Sequence, residues 1–405
     1  MPAGRRHLNQ EVERMKVKLR RRKLVLPGLC TQRPDEEFVL ENNESGIILH
    51  RAKPDIRKVY IEVTTRCNLR CKMCIRNAWD EPLGDMDEDT FEALLSQLAE
   101  LPELTEVAFG GFGEPLIHPR IMRMLKAINA LGVKVKVSTN GLLLDEEKAE
   151  ALVDIGVEEL VVSFDGATPK AYEAIRREAD FRQLVENLRH LNEVKSRRNS
   201  PFPRIGIEFV AMRSNVGELI SLVKLAKELQ ASFILVTHLL PYTEDMVGEI
   251  LYSRDGDAYT FPVLPGWPLM SGGWLLWGTV YLPRSRWGAE RRCRFIRDKA
   301  TVVGWDGKVS PCYALMHSYP YYIFGRRKNV TRYILGDIHE QSLAEIWTSE
   351  EYVKFRYQVR NFRFPSCVDC DLGDTCDIRE NNEGCWGWNP SCADCLWAQD
   401  IVQCP

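Results

Sequence analysis

Thr64-Thr65-Arg66-Cys67-Asn68-Leu69-Arg70-Cys71-Lys72-Met73-Cys74 follows directly on the strand-like run Val59-Tyr60-Ile61-Glu62-Val63. Three cysteines within eight residues, spaced C-x3-C-x2-C, can turn three thiolates toward one metal centre. The loop holds no Asp, Glu or His to complete a set of four, and the nearest upstream histidine is His50. At an iron–sulfur cluster, three protein ligands leave one iron open, and open metal positions do chemistry.

Outward from that loop, short β-branched runs alternate with amphipathic helical ones as far as Thr237. Strands are expected over 58–64, 105–110, 133–139, 159–163, 204–210 and 233–237. Helices are expected over 87–100, 118–131, 145–155, 168–196 (broken near Asp180) and 217–229. Asp87, Asp145 and Thr168 are N-cap candidates, and Gly132 and Gly156 are C-terminal stops. Six β/α units in series imply a parallel sheet, because parallel neighbours need crossover helices. Six are too few for a closed eight-stranded barrel, so an open, partial (β/α)6 barrel of the α/β class is expected, with its site at the strand C-terminal ends. There lie the cysteine loop, Gly110-Gly111-Phe112-Gly113-Glu114-Pro115, Ser138-Thr139-Asn140-Gly141 and Ser163-Phe164-Asp165-Gly166, with Glu208 inside the fifth strand. Singly, each reads as an ordinary turn or a satisfied core residue. Four such pieces after four successive strands, on one face, argue for a site.

At 405 residues the chain has room for one large domain and a smaller one. A net charge of −3 gives no sign of nucleic-acid binding. Locally, residues 1–27 carry Arg5, Arg6, Arg14, Lys16, Lys18, Arg20, Arg21, Arg22 and Lys23 against Glu11 and Glu13, either a basic arm for a partner or nucleic acid, or a solvated terminus, with Met15 as an alternative start. No signal peptide is legible, and the apolar stretch 261–282 is broken by Pro265, Pro268 and glycines, so no membrane span is expected. The expected compartment is a reducing cytoplasm, where thirteen cysteines speak for metal ligation over disulfides.

Residues 238–290, with Trp267, Trp274, Trp277 and Trp287, read either as a connector packed by its own aromatics or as an insert over the site. Nine cysteines then fall between 293 and 404. Cys293 and Cys312 bracket a hairpin-like piece at 301–311, and Cys367-x2-Cys370-x5-Cys376, Cys385, Cys392-x2-Cys395 and Cys404 follow. They would fill two four-thiolate sites with one spare, whether the metal is zinc or iron. A helix is expected at about 342–358.

The cysteine loop after a first strand, with Gly111-x-Gly113-Glu114-Pro115 after the second, resembles the radical S-adenosylmethionine (SAM) superfamily. Cys293-x13-Gly307-x4-Cys312, Leu335-Gly336-Asp337-Ile338, Ser342-Leu343-Ala344-Glu345-Ile346-Trp347 and Cys367-x2-Cys370-x5-Cys376 resemble its SPASM subgroup, which carries auxiliary iron–sulfur clusters. The resemblance spans roughly 58–237 and 293–404. It implies a partial TIM-like barrel at 58–240 behind a basic lead-in at 1–57, a Trp/Pro-rich insert at 241–290 and a cysteine-rich SPASM domain at 291–405.

The same resemblance implies that Cys67, Cys71 and Cys74 hold a 4Fe–4S cluster whose open iron chelates the amino and carboxylate groups of SAM. One electron then splits SAM into methionine and a 5′-deoxyadenosyl radical, which abstracts hydrogen from a substrate. Gly111 and Gly113 would let the backbone approach the amino group, with Glu114 shaping the turn. Ser138, Asn140 and Ser163 are candidates for ribose and carboxylate, and Arg176 for the carboxylate. Two auxiliary 4Fe–4S clusters would take Cys293, Cys312 and Cys385 at one, with Cys392 and Cys404 competing for the fourth position, and Cys367, Cys370, Cys376 and Cys395 at the other. The chain departs from the pattern at Met73, where an aromatic is usual, and at Glu380, where a cysteine is usual. A low-potential ferredoxin or flavodoxin is the electron donor such an enzyme expects.

More narrowly, Cys385-Trp386-Gly387-Trp388-Asn389-Pro390-Ser391-Cys392-Ala393-Asp394-Cys395-Leu396-Trp397 and Arg76-Asn77-Ala78-Trp79 resemble the SPASM maturases associated with tungsten-containing aldehyde ferredoxin oxidoreductases. The substrate would then be a tungstopterin cofactor or the oxidoreductase polypeptide. One alternative is a SPASM enzyme acting on a ribosomal peptide or a protein side chain; no winged-helix pattern for leader binding is legible in the 66 residues before Cys67. The other is a zinc-ribbon adaptor without catalysis, which leaves the glycine–glutamate turn unexplained.

Overall fold

Strands alternating with helices dominate the computed structural model, which describes residues 18–20, 23–25, 38–43, 46–51, 54–253, 279–284, 286, 288–367, 370, 372–382 and 389–403. Most of the expected insert, with Cys30, Cys385 and Cys404, lies outside them. The chain divides into two units, Met1–Lys53 and Pro54–Pro405. In the first, Lys18–Arg20 pairs antiparallel with Lys23–Val25, and Phe38–Asn43 with Gly46–Arg51.

The second unit opens with β1 (Lys58–Ile61), α1 (Glu88–Ala99), β2 (Glu106–Phe109), α2 (Ile121–Asn129), β3 (Lys134–Thr139), α3 (Glu146–Ile155) and β4 (Glu159–Ser163). It continues through α4 (Pro169–Ile175), α5 (Phe181–Arg197), β5 (Arg204–Ala211), α6 (Leu219–Glu228) and β6 (Phe233–His238). The expected caps form. Asp87 accepts from Thr90 N, Asp145 from Lys148 N and Thr168 from Ala171 N, each worth about 1 kcal/mol. The break between α4 and α5 falls at Asp180, whose carboxylate caps α5. Gly156 ends α3 at φ +79°, a left-handed position that favours glycine.

β1 to β6 pair in parallel and in sequence order, with Val59 opposite Val107 and Val107 opposite Val135. The sheet is wider than the sequence predicts. β7 (Thr279–Tyr281) adds in parallel to β6, and β8 (Ala300–Val303) adds in parallel to β1. β8 does form the expected hairpin with β9 (Lys308–Ser310), and β12 (Gly336–Asp337) extends it. The pairing with β8 also completes the hydrogen bonding of β1, which an open barrel would leave with unpaired backbone. One sheet, in the order β7-β6-β5-β4-β3-β2-β1-β8-β9-β12, therefore runs across the expected boundaries at 240 and 291.

Side chains on the outer face of this sheet, among them Val107, Val135, Leu160, Ile205 and Ile234, are buried against Leu94, Leu125, Leu152, Leu188 and Leu222 of the helices. Each such side chain stabilises the fold by roughly 1.5–3 kcal/mol. At the N-terminal end of the strands, charges alternate across the sheet. Lys58–Glu106 (2.7 Å), Lys136–Glu106 (3.1 Å), Lys136–Glu159 (3.3 Å) and Arg204–Glu159 (3.2 Å) join five strands.

Beyond β9 lie a hairpin of β10 (Tyr319–Ile323) and β11 (Arg326–Val330), then α7 (Leu343–Thr348) and α8 (Glu350–Arg360). The single helix expected at 342–358 is two, parted at Ser349, whose hydroxyl caps α8. Among the described residues no helix is long and apolar enough to cross a membrane.

Candidate active site at the open end of the barrel

Val63 to Arg66 carry the chain from β1 into the cysteine loop, and the 84–85 segment holds them. Thr64 Oγ1 donates to Asp85 Oδ1 at 2.6 Å, and Gly84 N donates to Thr65 Oγ1 at 2.9 Å. The loop itself is a series of tight turns. Cys74 N donates to Cys71 O at 3.2 Å, and the Asn77 side chain donates to the carbonyls of Cys71 (2.9 Å) and Lys72 (3.1 Å). Arg76 Nη2 reaches Leu69 O at 3.2 Å. Arg76 and Asn77, singled out in the sequence, thus clamp the loop from behind.

The sulfurs have donors aimed at them. Leu69 N lies 3.4 Å from Cys67 Sγ, Asn140 Nδ2 lies 3.8 Å from the same sulfur, and Arg176 Nη1 lies 3.9 Å from Cys71 Sγ. Burial pushes the Cys71 thiol up to about 11 and raises Cys74 as well. An unligated thiol there keeps its proton, and a metal must displace it. Donors converging on sulfur suit thiolates that hold an iron–sulfur group. Among the described residues no three His, Cys, Asp or Glu side chains close around a single ion. Ligands of a cluster bind different irons and need not converge on one point.

Glu114 anchors the turn after β2. Its carboxylate is buried and accepts from Leu116 N (3.0 Å), Thr139 Oγ1 (2.6 Å) and Asn140 N (2.7 Å). Burial raises its pKa against those three donors. The glycines of the turn are required by the chain itself. Gly111 sits at φ +112°, and a Cβ on it would lie 2.6 Å from Glu62 Oε1. A Cβ on Gly113 would lie 2.0 Å from Thr64 O. The space each gives up lets the turn pack over β1 and the start of the cysteine loop.

The expected contacts divide. Ser138 and Ser163 line a cavity of about 280 Å³ that also touches Cys67, Cys71, Cys74, Gly111, Gly113 and Glu114, and neither hydroxyl has a protein partner among the described residues. Asn140 lines it too, but its side chain is spent on the protein: Nδ2 donates to Asn68 Oδ1 at 2.8 Å and Oδ1 accepts from Leu142 N at 3.0 Å. Arg176 is held first by Asp165, at 2.7 Å from its Nε, while Nη1 points toward Cys71. Asp165, fully buried, also accepts from Val210 N at 2.7 Å. Glu208 faces the cavity, and burial together with the charge of Asp165 raises its carboxyl to about 7, with Arg176 pulling the other way.

Three groups at this site had no role in the sequence reading. Glu62, wholly buried, accepts from Phe112 N at 2.8 Å and faces His317 Nε2 at 2.9 Å, while Glu81 faces His317 Nδ1 at 2.6 Å. A glutamate inside the apolar run Val59–Val63 was the only available signal. The C-terminal tail also reaches the site: Trp397, Val402 and Gln403 wall the cavity, and Gln403 N donates to Thr237 Oγ1 at 2.8 Å.

The distal cysteines group differently from expectation. Cys293, Cys312, Cys392 and Cys395 lie close enough for charge on one to raise another, on top of burial that pushes Cys293 up to about 12. Cys395, expected with Cys367, Cys370 and Cys376, thus lies near Cys293 and Cys312. The reason is local: Cys392 and Cys395 share one turn, closed by Cys395 N on Cys392 O at 3.3 Å. Arg291, buried and two residues before Cys293, binds this segment through Ala393 O at 2.6 Å. None of the described cysteines is in a disulfide.

An open α/β barrel with thiols at the end of its first strand and a glutamate-anchored glycine turn after its second defines a class of enzyme. A sequence model of the radical SAM superfamily matches residues 61–226, and one of the iron–sulfur cluster-binding SPASM domain matches residues 293–371. The chain is 38% identical, over 352 residues, to the tungsten-containing aldehyde ferredoxin oxidoreductase cofactor-modifying protein of Pyrococcus furiosus, covering 86% of this chain and 97% of that protein. It is 31% identical to PqqA peptide cyclase of Gluconobacter oxydans, over 44% of this chain and 48% of that one. Streptococcus suis SuiB bound to S-adenosylmethionine shares the fold at a TM-score of 0.58 and 16% identity, over 83% of this chain and 74% of that chain. So does native anSMEcpe with bound AdoMet, at 0.55 and 17%, over 85% and 94%.

The chain belongs to the radical SAM superfamily and carries a SPASM domain. It is a radical SAM enzyme that uses a 4Fe–4S cluster and SAM, with auxiliary iron–sulfur clusters in its SPASM domain. The zinc-adaptor alternative falls with that.

Proposed function

We propose that this enzyme matures a tungsten-containing aldehyde ferredoxin oxidoreductase by modifying its pterin cofactor. The observation that carries this reading is similarity over nearly the whole length of the Pyrococcus protein, where the match to the peptide cyclase stops at about half of that enzyme. Cys67, Cys71 and Cys74 hold the SAM-binding cluster. Held there, the cluster would supply the one-electron reduction that cleaves bound SAM.

The chain's own residues bind, orient and enclose. The backbone of Gly111 and Gly113, set by Glu114, faces the amino group of SAM. Ser138 and Ser163, whose hydroxyls have no protein partner among the described residues, take its ribose and carboxylate oxygens. Arg176, steadied by Asp165, offers Nη1 to the cluster and the SAM carboxylate, and Asn140 braces Cys67. Trp397, Val402 and Gln403 wall one side of the chamber. Cys293, Cys312, Cys392 and Cys395 hold one auxiliary cluster. Cys367, Cys370 and Cys376, with Cys385 or Cys404, hold the other. A low-potential ferredoxin or flavodoxin delivers the electron.

A second reading, in which the substrate is the oxidoreductase polypeptide, draws on the partial similarity to PqqA peptide cyclase. Mass comparison of the tungsten enzyme's pterin and polypeptide, from cells with and without this protein, separates the two. A changed pterin is expected. A changed polypeptide with the same pterin favours the second reading, and identical masses with identical activity overturn both.

A further inference from the structure

His317 leaves the SPASM region between β9 and β10 and enters the barrel's open end, where its side chain is 4% exposed. Both ring nitrogens meet carboxylates: Nε2 lies 2.9 Å from Glu62 Oε2 and Nδ1 lies 2.6 Å from Glu81 Oε2. An ionised carboxylate has no proton to give, so both nitrogens must donate, and only the imidazolium does that. Burial pulls the ring's pKa down, but the two glutamates outweigh it and raise it to about 9. Trp79 covers the ring at 4.3 Å and Phe112 flanks it at 5.7 Å, a setting that also favours a cation. On the far side, Glu81 accepts from Ser318 N at 2.6 Å and feels Arg332, which is paired with Asp306 at 3.2 Å.

Glu62 passes this charge on to the glycine turn. Its second oxygen holds Phe112 N at 2.8 Å, and its side chain fills the space in which Gly111 has no Cβ. With the imidazolium removed, Glu62 is a buried carboxylate without its counter-charge, and its side chain turns toward other donors or water. That movement releases Phe112 N and frees the turn.

We propose that His317 is a positioning residue for SAM binding, a cationic clamp between Glu62 and Glu81 through which the SPASM region fixes the Gly110–Gly113 turn. The inference rests on the reading that this turn faces the amino group of SAM.

The test uses the full-length reconstituted enzyme carrying His317→Ala or His317→Gln, with SAM itself as the probe. SAM affinity is read by equilibrium dialysis and by the change SAM makes to the reduced cluster's EPR signal. Deuterium exchange reads the Phe112 amide. In His317→Ala, SAM binds about tenfold more weakly, as expected for one lost charge-assisted hydrogen bond, KM rises while kcat stays within about twofold, and Phe112 exchanges faster. His317→Gln, which keeps a donor without the charge, recovers part of the affinity. Wild-type affinity falls as pH passes about 9, and His317→Gln shows no such fall.

Should His317→Ala lose iron or fail to fold, Glu81→Gln at the more exposed end of the clamp reads the same effect at about threefold. Wild-type SAM affinity and Phe112 exchange in these variants overturn the clamp. Glu114→Gln serves as the reference: if it alone weakens SAM binding, the clamp falls and the turn stands. If it too is without effect, the reading of the turn falls.

Discussion

The backbone nitrogen of Asn140 donates to Glu114 Oε2 at 2.7 Å, and that bond locks the turn after β2 to the end of β3. The linkage continues, because the Asn140 side chain reaches Asn68 Oδ1 and the sulfur of Cys67. One buried carboxylate therefore sets both the glycine turn and one edge of the cysteine loop.

Glu114→Gln tests that coupling. Three donors face the carboxylate and no acceptor does, so the amide of glutamine must oppose one of them. It swings toward Asn140 N, where only one bond is lost, at a cost of about 1–3 kcal/mol. SAM affinity is expected to fall about tenfold in equilibrium dialysis, since each 1.4 kcal/mol is tenfold. Unchanged affinity would mean that the turn tolerates a displaced Asn140.

The barrel was legible because its signals are local. A cap such as Asp145 and a stop such as Gly156 act within one turn of helix, and both behave as their sequence neighbourhood implies. Val59, Val107 and Val135 announce strands by β-branching, and the helices between them announce that the strands run parallel. What escaped was long-range. Nothing near Thr301 marks it as the neighbour of Val59, and nothing near His317 marks it as the partner of Glu62, 255 residues away. The cysteine loop, the glycine turn and the two serines could be found by their place after successive strands. That Asn140 and Arg176 are also held by Asn68 and Asp165 was not legible, because those bonds depend on how the loops close.

Glu208 makes stability depend on pH. Its carboxyl titrates near 7 in the folded protein and near 4.3 when unfolded, so the unfolded chain ionises first as pH rises. Stability from this group is therefore highest below about pH 4 and declines until about pH 7. Thermal melts of wild type and Glu208→Gln should separate over that window, with the wild type losing ground, and run parallel above it. Parallel curves throughout would show that Glu208 ionises normally.

Glu106 behaves in the opposite sense. Burial raises its pKa, but Lys58 and Lys136 outweigh that and lower it overall. Its ionised form contributes stability above about pH 4.3, and the contribution is lost as pH falls through the lower folded value. Glu106→Gln takes the carboxylate from Lys58 and leaves Lys136 with Glu159 alone, and is expected to cost about 1–2 kcal/mol at pH 7, with the gap to wild type closing below about pH 4. A gap that persists in acid would point to lost packing instead of lost charge.

The regrouped thiols make the sharpest prediction for the SPASM region. If Cys395 shares a cluster with Cys293, Cys312 and Cys392, Cys395→Ala and Cys293→Ala should each remove the same iron, about four atoms per chain. The double variant should then lose no more than either single one. Pairing Cys395→Ala with Cys367→Ala should instead remove about eight, because two clusters are then broken. Iron analysis with Mössbauer spectroscopy of anaerobically reconstituted protein distinguishes the cases. Additive loss between Cys395 and Cys293 would return Cys395 to the set of Cys367, Cys370 and Cys376, against the turn that joins it to Cys392.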